Sequence, residues 1–294
     1  MGRLLALLLA LFAMPLLHAQ AGFDVQAVQL QENPVALTIH PGNRLQTLQA
    51  ELDGVPCTLL FDTGASHTTF NLAFLQRAFP DLVLSPLPMG GTTNIRKQPM
   101  AFVAKRLRLG NTTLRDFAAV ALALDHLSAA IGTPIDGILG VNAMAYAPFR
   151  LSLKRATVTW SAQLPEAPEA AALTVLPAAS PIAPLTLALP LTDPEGRTRM
   201  LPLLLDSGST YTFLPRAQWP QSGERLALAT ADVNAAAAAQ VCRGQPARLA
   251  LARGQTLHLS PLLTESDRVQ LGADFLLAHD LLCDVKARVV KVVP

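Results

Sequence analysis

The sequence predicts a mainly β protein made of two similar units. The first observation is a repeated tripeptide, because Asp62-Thr63-Gly64 and Asp206-Ser207-Gly208 each follow an apolar run. The second is an apolar segment that ends in glycine in each half, Ile138-Leu139-Gly140 and, more loosely, Gln270-Leu271-Gly272. The third is a pair of strand-like runs that closes each half. One such tripeptide arises by chance in roughly one chain in ten of this length, but two in matching surroundings indicate an internal duplication.

The N-terminus has the pattern of a secretory signal peptide. Arg3 precedes an apolar stretch from Leu4 to Leu17, and Ala19-Gln20-Ala21 places small residues at a cleavage site. The apolar stretch is too short for an ordinary transmembrane helix. We therefore expect residues 1–21 to be removed on export, to the periplasm or out of the cell, and we expect no membrane span in the mature chain.

The first predicted unit, residues 22–160, begins with a hairpin. Runs with strand periodicity at 45–52 and 55–61 flank Asp53-Gly54, which is a strong signal for a two-residue hairpin turn. Asp62 therefore follows a buried strand at a point where the chain must turn sharply.

The second predicted unit, residues 185–294, repeats this arrangement. An Ala/Pro-rich segment at 161–184 separates it from the first unit and is predicted to be a linker. Runs at 185–191 and 199–205 flank another turn, so that Asp206 also follows a buried strand.

Helical patterns are few. Asn71 is a good cap for a short helix over 71–79. Further helices are predicted over 232–241, where five consecutive alanines favour a helix, and over 274–279.

The order of apolar strand, Asp-Thr-Gly-Ala-Ser, Ile-Leu-Gly and terminal hairpin resembles the aspartic peptidase superfamily, in which each lobe gives one aspartate to a shared site. The resemblance spans both halves, and the units are more similar to the compact retropepsin type than to a pepsin lobe. It implies two similar lobes related by a pseudo-twofold axis, with the active site in the cleft between them. Asp62 and Asp206 would form the dyad. Because both lie on one chain, we expect a monomer to be active.

The resemblance also assigns supporting residues. The hydroxyls of Thr63 and Ser207 would hydrogen-bond between the two loops. Gly64 and Gly208 permit a tight turn and a close approach by the opposing unit and the substrate. Gly90-Gly91 is the candidate for the tip of a mobile hairpin that closes over the substrate.

One difference between the two motifs predicts where the shared proton resides. Directly after the glycine, the first motif has Ala65 and the second has Ser209. A hydroxyl that donates to Asp206 would favour its ionised form. The sequence therefore predicts the proton on Asp62 and the charge on Asp206.

Two adjacent carboxyls can hydrolyse a peptide bond without a covalent intermediate. They cannot both ionise easily, so at acid pH they share one proton. The ionised carboxyl draws a proton from water, and the other protonates the scissile carbonyl. We therefore expect an aspartic endopeptidase that acts on a peptide or protein substrate and needs no cofactor. The alternative is a catalytically silent relative that binds an extended peptide or a partner protein in the same cleft.

Other function classes find little support. The formal charge is +2, without a basic run or patch, so nucleic acid binding is not indicated. The six histidines form no metal-ligand motif, and no serine lies in a nucleophile elbow, so neither a metal site nor a serine hydrolase is expected. His67 is interpreted as a surface or turn histidine rather than a catalytic base.

Three cysteines are present in a chain that we expect to be exported. Cys242 and Cys283 lie in the same half, which makes them the candidate disulfide in an oxidising compartment. Cys57 is predicted to be a buried free thiol.

Overall fold

The computed structural model of the protein describes residues 5–7, 27–87, 98–180, 182–231, 236–251, 254–265 and 269–293. These residues form a mainly β structure, as predicted. The strands of the first half are β1 (Leu5–Leu7), β2 (Ala27–Gln29), β3 (Val35–Ala36), β4 (Thr38–Ile39), β5 (Gln46–Leu52), β6 (Val55–Phe61), β7 (Thr69–Asn71), β8 (Ser85–Pro86), β9 (Met100–Leu109), β10 (Thr112–Leu122), β11 (Gly137–Leu139), β12 (Phe149–Ser152) and β13 (Thr157–Trp160). The helices of this half are α1 (Leu72–Ala78), α2 (Asp125–Ile131) and α3 (Val141–Met144).

The second half contains one short helix and a further set of strands. The helix is α4 (Ala273–Leu276). The strands are β14 (Ala171–Val175), β15 (Thr186–Thr192), β16 (Thr198–Leu205), β17 (Phe213–Pro215), β18 (Gln221–Ala231), β19 (Ala236–Gly244), β20 (Ala247–Ala250), β21 (Thr256–Leu259), β22 (Leu262–Thr264), β23 (Gln270–Leu271), β24 (Asp280–Asp284) and β25 (Val289–Val293).

The strand that leads into Asp62 lies between two neighbours in the first half. It forms the predicted hairpin with β5, and Asp53 and Gly54 at the turn both have positive φ, at 47° and 93°. On its other side β6 pairs in parallel with β11. Strand β11 then pairs antiparallel with β7, which pairs in parallel with β10.

The strand that leads into Asp206 has the same set of neighbours in the second half. Strands β15 and β16 form the predicted hairpin, and β16 pairs in parallel with β23. Strand β23 pairs antiparallel with β17, which pairs in parallel with β22. The same order of pairings therefore surrounds each aspartate.

The closing strand pairs of the two halves meet in one shared sheet. Strands β12 and β13 form one hairpin, β24 and β25 form the other, and β12 pairs with β24 across the halves. Strand β3 extends this sheet on one side and β14 on the other. Strand β14 lies inside the segment predicted as a linker, so part of that segment is a paired strand rather than a loop.

Large apolar side chains fill the space between the sheets. Phe61, Phe149 and Trp160 are almost completely buried, and the rings of Phe61 and Phe149 meet edge to face with centroids 6.1 Å apart. Because Phe61 immediately precedes Asp62, this contact fixes the end of the strand from which the aspartate emerges. None of the helices in the described part of the chain is long and apolar enough to cross a membrane.

The helix predictions are only partly right. Helix α1 is confirmed, and the Asn71 side chain accepts a hydrogen bond from Ala73 N. Helix α4 occupies part of the predicted range at 274–279. The predicted helix at 232–241 is wrong, because residues from 236 onward belong to β19, which pairs antiparallel with β18. Tertiary pairing overrides the helix propensity of alanine there. Helices α2 and α3 were not expected.

Candidate active site

Asp62 and Asp206 each stand at the first position after a strand. The Asp62 backbone N–H donates to the Leu139 carbonyl at 3.1 Å, and the Asp206 N–H donates to the Leu271 carbonyl at 3.0 Å. Both carbonyls belong to the apolar segments that precede a glycine. Each aspartate is therefore held by the parallel strand beside its own, and both side chains are 0% exposed.

Hydroxyl groups connect the two loops that carry the aspartates. Thr63 N–H donates to Ser207 Oγ at 3.0 Å, and Ser207 N–H donates to Thr63 Oγ1 at 2.9 Å. The same two hydroxyls donate to backbone carbonyls of the opposing strands, Thr63 Oγ1 to Leu205 and Ser207 Oγ to Phe61, each at 2.9 Å. These buried bonds join the two hydroxyls that the resemblance assigned to this role, and they fix the spacing of the two loops.

The glycine of each motif lies directly against the aspartate of the other. A Cβ added to Gly64 would be 2.6 Å from Asp206 Cγ, and one added to Gly208 would be 2.5 Å from Asp62 Cγ. Any side chain at either position would displace the opposing carboxyl. The two glycines therefore allow the two carboxyl groups to approach each other.

The carboxyl groups have few protein donors. Gly64 N–H donates to Asp62 Oδ1 at 2.8 Å. Within the described residues, Asp62 Oδ2 and both oxygens of Asp206 are buried without a hydrogen-bond partner. Burial raises the pKa of Asp62 to about 7. Burial and the adjacent Asp62 carboxyl raise the pKa of Asp206 well above its ordinary value.

The hydrogen bond from which the sequence predicted the position of the shared proton is absent. Ser209 Oγ donates to the Tyr211 carbonyl at 2.9 Å rather than to Asp206, so its hydroxyl does not favour ionisation there. Asp62 instead has the donor from Gly64. A hydrogen bond to the ionised form favours ionisation, so the Gly64 bond favours the charge on Asp62, and the adjacent Asp62 carboxyl raises the pKa of Asp206.

A second layer of hydrogen bonds, which the sequence reasoning missed, supports each loop. Gly140 N–H donates to Thr68 Oγ1 and Gly272 N–H donates to Thr212 Oγ1, both at 3.2 Å. Val141 N–H donates to the Ala65 carbonyl and Ala273 N–H to the Ser209 carbonyl, both at 2.7 Å. The two threonines stand at the same distance after their aspartates, and this shared offset was a signal that could have identified them.

His67 is buried rather than exposed. Its Nδ1 lies 2.8 Å from Ser66 Oγ. Burial lowers the pKa of His67 to about 4, so the imidazole is neutral in the pH range in which the carboxyl pair titrates. Of the predicted alternatives, a surface or a turn histidine, the structure has the second, since His67 lies in the bend after the first motif and is buried.

The predicted disulfide is absent. Cys57, Cys242 and Cys283 are all free and buried, which confirms the interpretation of Cys57. Cys242 lies on β19 opposite Leu263 of β22, whereas Cys283 lies on β24 opposite Val290 of β25. The two cysteines lie in the same half, but among the described strands β19 and β24 do not pair with each other.

Two remaining predictions concern the flap and metals. Gly90 and Gly91, the candidate flap tip, lie outside the described residues. Over the part of the chain that the structure describes, no group of three or more histidine, cysteine, aspartate or glutamate side chains could hold a metal ion.

Comparison with known proteins bears on the first half of the chain. Residues 48–143 match a family model described as aspartyl protease. This range contains the first aspartate loop and the Ile138-Leu139-Gly140 segment that holds it, and it ends before Asp206. No curated protein matches the chain. The match supports an aspartyl protease function in general terms.

Proposed function

We propose that this protein is an aspartic endopeptidase in which Asp62 and Asp206 act together on one peptide bond. The observation that carries the proposal is the contact of each motif glycine with the opposing carboxyl, at 2.6 and 2.5 Å from an added Cβ. A turn with a purely structural aspartate has no need for such an approach. The family match over residues 48–143 supports the same class of reaction.

The proposed mechanism assigns different tasks to the two carboxyls. Asp62, ionised and bonded to Gly64 N–H, draws a proton from a water molecule, and the oxygen of that water attacks the scissile carbonyl carbon. Asp206, protonated, gives its proton to the carbonyl oxygen. When the tetrahedral intermediate collapses, the proton that Asp62 took from water passes to the leaving nitrogen, Asp206 takes back its proton from the hydroxyl on the former carbonyl carbon, and the carbon–nitrogen bond breaks. Neither carboxyl forms a covalent bond to the substrate.

The proposal includes an arrangement of the whole chain. Residues 1–21 are a signal peptide, 22–160 and 185–294 are two lobes related by a pseudo-twofold axis, and 161–184 connect them. The repeated strand pairings around the two aspartates support this division. The mature protein is exported to the periplasm or secreted, and the substrate is an extended peptide segment held in the cleft between the lobes. One chain provides both aspartates, so the monomer is active.

The test uses the single variants Asp62→Asn and Asp206→Asn with an unfolded protein as substrate. Each variant should lose activity by about 10²–10⁴-fold, because general acid–base catalysis needs both carboxyls. Asp81→Asn, at an exposed position, is the matched control and should cleave like the wild type. A peptide analogue with a hydroxyl on a tetrahedral carbon in place of the scissile carbonyl should inhibit the wild type.

Two outcomes would contradict the proposal. If either dyad variant kept most of the wild-type kcat with a normal thermal transition, Asp62 and Asp206 would not be the catalytic pair. If the wild type cleaved nothing but bound the analogue peptide, the silent binding module would be the better interpretation. A specific activity that fell steeply on dilution would contradict the monomer.

A further inference from the structure

The two aspartate loops are braced by equivalent networks that end in different chemical groups. In the first half, Thr68 Oγ1 donates to Asn142 Oδ1 at 2.9 Å. In the second half, Thr212 Oγ1 donates to Asp274 Oδ1 at 2.8 Å. Both threonine hydroxyls also accept the N–H of the glycine two residues before that side chain, Gly140 or Gly272. An amide thus occupies one position and a carboxyl the other.

The amide brace in the first half does not titrate. Asn142 Oδ1 accepts both the hydroxyl and the backbone N–H of Thr68, and its Nδ2 donates to the Ala118 carbonyl at 3.1 Å. Asn142 is buried with these groups satisfied. Its strength is therefore independent of pH.

The carboxyl brace in the second half faces donors. Besides the Thr212 hydroxyl, Asp274 Oδ1 accepts Phe275 N–H at 2.9 Å. A hydrogen bond to an ionised acceptor is roughly twice as strong as one between neutral groups. The hold of Asp274 on Thr212 is therefore strongest when Asp274 is ionised, and it weakens on protonation.

Asp274 is connected to Asp206 by a short path. The residue before Asp274 is Ala273, whose N–H donates to the Ser209 carbonyl at 2.7 Å. Ser209 lies in the loop that carries Asp206. A Cβ on Gly272 would be 2.4 Å from the Tyr211 carbonyl carbon, so the two segments are in full contact. A loosened brace would therefore move the loop that carries Asp206.

The charged and titratable groups that face Asp274 come from both halves. Arg44, in the turn before β5, favours its ionised form, whereas burial raises its pKa and is the larger effect. Tyr211 is a second neighbour, and it also feels Arg44 and Arg243. On α4, the adjacent Phe275 packs against His279 with ring centroids 5.0 Å apart.

We infer that Asp274 is a titratable positioning residue that holds the Asp206 loop, and that Asn142 is its non-titrating counterpart in the first half. The inference rests on the proposed function, since it concerns the precision with which Asp206 is held for catalysis. It implies that the second half of the site loosens in acid while the first half does not.

The decisive variant is Asp274→Asn, which gives the second half the amide of the first. At neutral pH its kcat should stay within about threefold of the wild type, because an amide oxygen can still accept the Thr212 hydroxyl. On the acid side, log kcat/KM of the variant should fall with a slope of about one, for the dyad alone. The wild type should fall more steeply than this where Asp274 takes up its proton, and it should lose there about the same factor by which the variant is already slower at neutral pH. Asp274→Ala should lower kcat by about 10²-fold at every pH, because the loop is then unbraced.

Two further measurements separate positioning from a merely structural role. In a Thr212→Val background, Asp274→Asn should no longer change the acid slope of log kcat/KM, because the hydroxyl that Asp274 holds is gone. In a Thr68→Val background the substitution should still change this slope, because Thr68 is held by Asn142 instead. Thermal transitions at each pH verify that every variant is folded. Acid slopes of Asp274→Asn and wild type that superimpose, while Asp62→Asn is inactive, would overturn this inference and leave the proposed function intact. If Asp62→Asn were active, the proposed function itself would fail.

Discussion

The buried carboxyl pair should contribute less to the stability of the fold at neutral pH than in acid, and Asp62→Asn should remove part of that loss. Asp62 is 0% exposed, and burial raises its pKa to about 7 from an ordinary value of 3.8. Between these two pH values the native protein holds a proton that the unfolded chain has released. Folding is therefore linked to proton uptake in this window.

The sign and size of the effect follow from the two pKa values. The stabilisation from the bound proton is complete below pH 3.8, decreases as the pH rises, and is lost above about pH 7. The interval between the two pKa values corresponds to about 4 kcal/mol of unfolding free energy. Asparagine does not titrate, so the variant lacks the contribution of Asp62 and retains that of buried Asp206.

The assay is urea unfolding of wild type and Asp62→Asn across the pH range. The difference in unfolding free energy should be near zero at about pH 3.5 and should grow in favour of the variant as the pH rises to about 8, with about 4 kcal/mol from Asp62 alone. Removal of Asp62 also lowers the pKa of Asp206, which acts in the same direction. Asp81→Asn, at an exposed site, is the control and should show no such growth. A difference that stayed constant with pH, or a variant less stable than the wild type at neutral pH, would refute the reasoning.

Three further predictions concern activity and the loop contacts. Burial raises the pKa of Asp62 to about 7, so in acid both carboxyls of the pair are protonated and neither can act as a base. We therefore expect kcat/KM to rise with pH up to about 7. An optimum near pH 4 with activity lost by neutrality would contradict this expectation. Gly208→Ala should lower kcat by about 10²-fold or more, because its Cβ would lie 2.5 Å from Asp62 Cγ. The control Gly223→Ala should leave kcat unchanged, because a Cβ there would have no atom within 4 Å. Equal effects of the two variants on kcat would be inconsistent with the close approach. Ser207→Ala should destabilise the fold by about 2–5 kcal/mol in urea titrations, because Thr63 N–H and the Phe61 carbonyl lose the buried hydroxyl with which they hydrogen-bond. The control Thr63→Ser keeps a hydroxyl and should retain the stability of the wild type.

Local sequence signals account for the parts of the fold that could be predicted. Asp53-Gly54 between two strand-like runs specifies a turn with two positive φ values, and the structure has both. The aspartates follow buried strands because an apolar run must end where a polar loop begins. Both are properties of neighbouring residues in the chain, which a sequence displays directly.

Contacts between distant segments account for what was missed. The alanine-rich run at 236–239 has helical propensity, but pairing with β18 makes it a strand. Cys242 and Cys283 share a half, yet strand order places them on different ladders. Ser209 stands beside Asp206 in sequence, but its hydroxyl is directed to the Tyr211 carbonyl. In each case the partner is chosen by the tertiary arrangement.

The asymmetry of the proposed site arises from small differences between two repeated units. An ideal duplication would give two equivalent carboxyls, and neither would be favoured as base or acid. Here Gly64 N–H donates to Asp62 Oδ1 at 2.8 Å, whereas both oxygens of Asp206 have no hydrogen-bond partner among the described residues. The second unit also replaces the Asn142 amide with the Asp274 carboxyl. The first difference favours the charge on Asp62. If Asp274 holds the Asp206 loop as we infer, the second difference adds a pH response to that loop, and the duplicated unit can diverge in chemistry without changing the strand pairings that hold its aspartate.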